Sequence, residues 1–180
     1  MGTNIAKAYA DAIYLIGQED NKTKEYNEEL KMICEINENN LELIQVMSSP
    51  KINKDEKKEL LVNIYKDKID IHILNFMKLL VDKNHYKELV KIGMLFEKQY
   101  YEDEGIAIAN VASALELDDM EIEQLKKMLE AKTNKKIIMK VIVDKRVIAG
   151  IRVEINGEVM DNTIATKLEK IKNTINNSAL

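Results

Sequence analysis

The most informative run of the chain is Ile137-Ile-Met-Lys-Val-Ile-Val-Asp-Lys-Arg-Val-Ile-Ala-Gly-Ile-Arg-Val-Glu-Ile-Asn-Gly-Glu-Val-Met-Asp-Asn-Thr-Ile164. It holds two β-rich runs, 137–143 and 147–155, separated by a turn near Asp144-Lys145. In the second run Val147, Ala149, Ile151, Val153 and Ile155 alternate onto one face, the period of a half-buried strand. The small pair Ala149-Gly150 marks a bend, or a place where another backbone comes close. Asn156-Gly157 is a two-residue hairpin signal. Asp161 or Asn162 then caps a last helix, with Ile164, Leu168, Ile171 and Ile175 in one stripe. No nucleophile, metal-ligand set or phosphate loop lies inside the run.

Upstream, the period changes at Gly105. Ile106-Ala-Ile-Ala-Asn-Val-Ala-Ser-Ala-Leu115 alternates and reads as a strand of mostly small residues. Leu117-Asp118-Asp119 leads into a helix bearing Ile122, Leu125, Met128 and Leu129. Before Gly105 the pattern is helical throughout. Ile5, Tyr9, Ala12, Ile13 and Ile16 form a stripe that Gly17 should end or loosen. Thr23 is placed to cap a second helix buried through Tyr26, Leu30, Ile33 and Cys34. A short helix with Leu41, Ile44 and Met47 is stopped by Ser48-Ser49-Pro50. Asn53-Lys-Asp-Glu56 reads as a capping box for a fourth helix. Ile69, Ile73, Phe76, Met77 and Leu80 mark a fifth, broken at Asn84, and Tyr86 to Tyr100 a sixth. The expected fold is α+β. Residues 1–105 form a six-helix antiparallel bundle, and residues 106–180 form a small α/β domain.

The totals agree with a soluble globular chain of 180 residues: apolar content is 46% and charged content 32%. Only Gly 6 and Pro 1 interrupt it, so long helices are expected. A net charge of -4 disfavours generic attachment to nucleic acid or anionic lipid. No apolar run approaches the roughly 20 residues needed to span a bilayer, so no direct membrane insertion is expected. Met1-Gly-Thr-Asn-Ile-Ala-Lys lacks a basic region followed by an apolar core, so no secretory signal is expected.

Catalytic material is scarce. His72 and His85 fall in different helices with no cysteine partner, a poor zinc pair. Cys34 lies in a buried stripe with no activating base nearby and reads as structural. Ser48-Ser49 suits turn bonding, and Asp118-Asp119 suits a helix start. Asp144 and Asp161 flank the β segment in turn and cap roles. No enzyme and no cofactor are expected. What remains is surface. The first helix carries alanines at 6 and 10, off the Ile5–Tyr9–Ile16 line, and the fifth carries Leu79 and Val81 beyond its inward set. Two such helices side by side would make a groove for an amphipathic partner helix.

Several runs together resemble one family. They are Ala8-Tyr9-Ala10-x-Ala12, Ser49-Pro50 with Ile52, Asn75-Phe76-x-x-Leu79-Leu80 and Ala112-Ser-Ala114-x-x-Leu117. To these the opening run adds Ile137-x-Met139-x3-Val143-Asp144-x2-Val147-x-Ala149-Gly150-Ile151-x-Val153-Glu154 and Asp161-Asn162-Thr163. Over residues 4–175 the chain is similar to the delta subunit of bacterial F-type ATP synthase, the oligomycin-sensitivity-conferring protein of mitochondria. It departs from that pattern with Ala149 where Gly is common, Asn134 for a Gly before the strand, and Asn84-His85-Tyr86 for an Arg-containing turn.

The resemblance implies a non-catalytic peripheral-stalk (stator) subunit, present in one copy on the cytoplasmic face of the bacterial cell membrane. The helical domain would bind the N-terminal segment of an alpha subunit through Tyr9, Ala12, Ile13, Asn75 and Leu79. The second domain would engage the b subunits, with Asp144, Ala149, Gly150 and Asp161 as its structural signature. The alternative kept open by the residues alone is a small regulatory or nucleic-acid-binding adaptor, which would need a basic stripe.

Overall fold

The computed structural model describes residues 2–147, 150–155 and 158–161, with side chains from Ile5 to Ile155. The chain is α+β and divides into two compact units, Met1–Tyr101 and Glu102–Leu180. The first holds α1 (Gly2–Glu19), α2 (Thr23–Asn39), α3 (Leu41–Ser48), α4 (Lys54–Tyr65) and α5 (Ile71–Asp82). A single 3-10 turn, Tyr86–Glu88, then leads into α6 (Leu89–Asp103).

With so few glycines, the chain uses Asn and Asp to turn out of its helices. Asn21, Asp67, Asn84 and Asn134 all adopt left-handed backbone, with φ of 56, 61, 56 and 53°. Their short polar side chains tolerate that region better than other non-glycine residues. Helix starts are capped by side chains. Asn53 accepts a bond from the Asp55 amide and Asp70 from the His72 amide. The Ser49-Pro50 turn is pinned by Lys57, whose buried ammonium donates to the Ser49 carbonyl at 2.6 Å.

Three local expectations change. Gly17 does not end α1, which continues to Glu19. It is buried because α2 passes close by: a Cβ there would lie 3.1 Å from the Tyr26 ring and 3.4 Å from Thr23 Cα. Thr23 is the first helical residue of α2, not its cap, and Lys22 takes the cap position without a side-chain bond. The capping box falls at Asp118 and Glu121, not at Asn53 and Glu56. In that box the Glu121 amide donates to Asp118 Oδ1 at 2.7 Å and the Asp118 amide to Glu121 Oε2 at 3.0 Å.

The core of the first unit is aromatic and aliphatic. Tyr26, Tyr65, Tyr86, Phe96, Ile33, Leu61, Ile73, Met77 and Leu80 are all buried. Each such aliphatic side chain contributes about 2 kcal/mol by leaving water. The buried Asn37 is satisfied on both sides: Tyr86 Oη donates to its Oδ1 at 3.1 Å, and its Nδ2 donates to the Ile33 carbonyl at 2.7 Å. Cys34 packs against α6 with Sγ 3.9 Å from the Val90 carbonyl, and burial pushes its thiol up to about 12. Gly93 is the matching gap in α6, since a Cβ there would fall 2.4 Å from Cys34 Sγ.

A polar cluster closes one end of the same unit. Lys22 Nζ donates to Asp70 Oδ2 at 2.8 Å, and Tyr26 Oη donates to Asp20 Oδ2 at 2.7 Å and to Asp70 Oδ1 at 3.3 Å. The Asp70 amide donates to both Glu29 oxygens, at 3.0 and 2.9 Å. Burial is the largest single influence and opposes ionisation of Asp70, but the bonds from Lys22 and the His72 amide, with the nearby positive charge, together outweigh it and hold the carboxyl below its usual 3.8. Burial pushes Glu29 the other way, above 4.5.

In the second unit β1 (Ile106–Ser113) follows Gly105, itself at φ +62°. Then come α7 (Asp119–Thr133), β2 (Lys136–Val143), β3 (Ile151–Ile155) and β4 (Glu158–Asp161). Sheet order is β2-β1-β3-β4, with β1 and β2 parallel and the other pairs antiparallel. A parallel pair needs a crossover, and α7 supplies it. Alternate residues Ala107, Ala109 and Val111 of β1 join Leu125 and Leu129 of α7, Ile137, Val153 and Ile155 in one core.

The second β run starts at Ile151 rather than Val147, because Val147 closes the preceding turn by donating its amide to the Asp144 carbonyl at 2.9 Å. Ile155 lies opposite Glu158, leaving two residues between β3 and β4. Those residues, Asn156-Gly157, and the expected last helix with Ile164, Leu168, Ile171 and Ile175, lie outside the described residues.

Two predictions test this packing. Gly93→Ala is expected to lower stability by about 1–3 kcal/mol in denaturant titration. Adding Cys34→Ala should restore most of the loss, because the two sites share one gap. Losses that simply add would place the strain elsewhere. For Asp70, a depressed carboxyl stabilises the fold fully above pH 3.8 and loses that effect as pH falls through the lower folded value. Glu29 contributes the opposite slope at higher pH, where its raised carboxyl takes up a proton. Asp70→Asn keeps the cap and removes the charge. The stability gap between wild type and this variant should therefore be full above about pH 4 and close below it. A gap independent of pH would show that the Lys22 pair contributes nothing.

Candidate functional site

The inward face of α1 combines three small residues with two large ones. Ala6, Ala10, Ile13, Tyr14 and Gly17 are buried, whereas Ile5, Tyr9 and Ile16, expected to form the buried stripe, are only half-buried. With 3.6 residues per turn, exposed Lys7 and half-buried Asp11 share one side of α1, and beside them Ile5, Ala8, Tyr9, Ala12, Leu15 and Ile16 form an outward stripe about a third of the circumference wide. The stripe carries no charge. Ala8 and Ala12 are exposed, and Leu15 is 57% exposed.

Helix α5 runs beside this face. The Tyr9 ring meets the Phe76 ring edge-on, with centroids 6.1 Å apart and an interplanar angle of 68°. Toward the other end, His72 Nε2 lies 3.9 Å from Asp20 Oδ2. The two contacts, Tyr9 with Phe76 and Asp20 with His72, run in opposite directions along the two chains, so α1 and α5 are antiparallel. Phe76 is nearly covered, while Leu79 is 42% exposed and Asn75 is exposed. The result is a shallow apolar trough. Tyr9, Ala12 and Ile16 line its α1 side, Leu79 and Asn75 its α5 side, and Phe76 its floor.

Of the five residues expected to touch a partner, Tyr9, Ala12, Asn75 and Leu79 thus border one surface. Ile13 is 1% exposed and belongs to the core beneath it. Sequence reasoning missed Ile5, Leu15, Ile16, Phe76 and His85. The usable signal was the Ala6/Ala10/Gly17 spacing, which marks the side of the helix that must fit closest to its neighbours.

The signature residues of the second unit have geometric duties. Asp144 receives the Arg146 amide at 3.0 Å and its guanidinium at 2.8 to 3.2 Å. Those bonds hold the Asp144 carboxyl down at about 2. Gly150 takes φ +93°, a conformation that a side chain would strain. Asp161 is the last residue of β4, paired in register with Arg152. Ala149 lies outside the described residues.

Nothing in the described residues gathers three or more His, Cys, Asp or Glu side chains in a position to hold a metal ion. Nor is any described helix long and apolar enough to cross a membrane.

Comparison with known proteins accounts for nearly the whole chain. A model of the family described as ATP synthase delta (OSCP) subunit matches residues 5–175. ATP synthase subunit delta of Clostridium botulinum (strain 657 / Type Ba4) is 36% identical over 166 residues, 92% of this chain and 93% of that protein. The protein of the same name from Clostridium beijerinckii is 36% identical over 168 residues, 93% and 94% of the two chains. Among solved structures, a chain of the Toxoplasma gondii mitochondrial ATP synthase hexamer superposes with a TM-score of 0.70 over 94% of this chain and 96% of its own, at 16% identity. That likeness concerns the fold alone. A family model spanning both units and relatives matched along almost their full length place this chain in the ATP synthase delta (OSCP) subunit family.

Proposed function

We propose that this chain is a non-catalytic subunit of the peripheral stalk of an F-type ATP synthase and that it holds the catalytic head against rotor torque. Family membership supplies the assembly. The observation that carries the mechanism is the uncharged stripe of α1, Ile5 to Ile16, on the side where Tyr9 meets α5, whose Leu79 and Asn75 are exposed. In this reading residues 1–105 form a six-helix antiparallel bundle that sits on the head. Its α1–α5 trough takes the N-terminal helix of an alpha subunit, burying that helix's apolar face on Tyr9, Ala12 and Leu79, with Asn75 at the rim and Ile13 bracing Tyr9's helix from within. Residues 106–180 take the C-terminal ends of the b subunits, with Asp144, Ala149, Gly150 and Asp161 shaping that domain rather than touching its partner.

Such a tether acts by affinity and stiffness. Apolar burial along a preformed groove provides the first, and a packed helical unit with pinned ends provides the second. The chain works from the cytoplasmic face of the bacterial cell membrane without entering the bilayer, with no cofactor.

The test is titration with a peptide spanning the alpha N-terminal segment. Binding is expected, and Leu79→Asp should weaken it roughly 30-fold or more, the scale of a central contact worth 2 kcal/mol or above. Failure of the wild-type chain to bind, or undiminished binding by the variant, would remove the trough as the alpha site. Recovery of alpha and b subunits with the chain from solubilised membranes checks the wider assignment.

A further inference from the structure

Beside the trough lies an interaction that neither the core nor the helix caps require. Tyr9 Oη is 3.2 Å from His85 Nδ1, across 76 positions of sequence. The two rings also meet edge-on, with centroids 5.7 Å apart and an interplanar angle of 67°. Tyr9 is therefore held between two partners, Phe76 and His85, although it is only half-buried. His85 follows the left-handed Asn84 just after α5 and is itself fixed, its amide donating to the Leu80 carbonyl at 2.8 Å. A half-exposed tyrosine without such a partner has alternative χ1 wells open to it. Some of these would move the ring off Phe76 or across the surface between Ala12 and Leu79.

We propose that His85 is a positioning residue for partner docking. It fixes the Tyr9 ring as a preset wall of the α1–α5 trough, so an incoming amphipathic helix meets a formed groove. This rests on the trough being the docking surface. Preorganisation of this kind raises affinity by removing side-chain ordering from the binding step. The polar cluster at Asp20, Lys22 and Asp70 fixes the opposite end of the same helix pair. Eleven residues separate Tyr9 from Asp20, about 16 Å of helix. The trough is thus held at both ends, and the Tyr9–His85 bond is the hold that borders the apolar surface itself.

The experiment is calorimetric titration of the full chain with the alpha N-terminal peptide. It uses wild type, Tyr9→Phe, His85→Ala, His85→Gln and the Tyr9→Phe/His85→Ala double variant. Tyr9→Phe and His85→Ala should each weaken binding about three- to ten-fold, the range of one net hydrogen bond. The double variant should be no weaker than the worse single, because both remove the same bond. His85→Gln, which can still reach the hydroxyl, should regain part of the loss. Gly93→Ala serves as the stability control: it should melt lower yet bind as wild type does. Wild-type binding with unchanged Tyr9→Phe and His85→Ala affinities would overturn the positioning role and leave the trough standing. Losses that multiply in the double variant, or a matching loss in Gly93→Ala, would overturn it as well. A wild-type chain that does not bind the peptide removes the trough reading and this inference together.

Discussion

How closely α1 approaches its neighbours governs much of the first unit. Gly17 leaves room for Tyr26 of α2, and Tyr14 meets Phe96 of α6 edge-on with centroids 5.1 Å apart. Ala6 and Ala10 are buried on the same side. Where that face carries Ala6, Ala10 and Gly17 the helix can sit close to its neighbours, while Ile13 and Tyr14 fill the core beside them. Ile5, Tyr9 and Ile16 lie off that side and are carried to the rim. The apolar surface follows from the packing. The Gly93–Cys34 gap applies the same rule between α2 and α6, which lets the aromatic core close around Tyr26, Tyr86 and Phe96.

Much of the architecture was legible because periodicity is a property of neighbours along the chain. Each helix and β1, β2 and β3 announce themselves by spacing alone. The split at Gly105 shows as a change of period from helical to alternating. The break at Asn84 was readable from residue type, and Asn134, at φ 53°, adopts the left-handed backbone that a glycine would also accept. The misreadings have one source. Which face of α1 is buried depends on what packs against it, and weighting residues by size pointed to Ile5–Tyr9–Ile16. Likewise, whether Thr23 or Lys22 begins α2 depends on the turn before it, where Asn21 is already left-handed. The capping motifs illustrate the same limit. Asn53 and Asp118 carry the same signal, with Glu three positions on, yet only Asp118 forms the reciprocal pair.

The surface was half legible. Leu79 stands out as a residue a core-facing helix does not need, whereas Val81, expected beyond the inward set in the same way, is 2% exposed and belongs to the core, and Asn75 came only from the family resemblance. Tyr9 and Ala12 stand out once α1 is seen to have two apolar sides. His85 could not be found this way. Its contact with Tyr9 spans 76 positions and depends on the left-handed turn at Asn84 that points the chain back along α5. No periodic pattern encodes such a pair, and only the fold brings it together.

The proposed stalk role requires helices that keep their spacing under load, and packing without directional contacts resists sliding less well. Polar contacts resist it because they are directional. An exposed ion pair adds little stability, and the value of Asp70 lies in geometry. Its carboxylate accepts from Lys22, Tyr26 and the His72 amide, while its own amide donates to Glu29. One residue thereby ties the start of α5 to α2 and to the turn after α1. The His72 bond is α5's own cap, but any axial slip of α5 by one helical turn, about 5.4 Å, would break the bonds to Lys22, Tyr26 and Glu29 at once. At the far end the Tyr9–His85 bond would break too. The apolar surface is therefore bounded by two sets of contacts that fail together or hold together, as the proposed docking role requires.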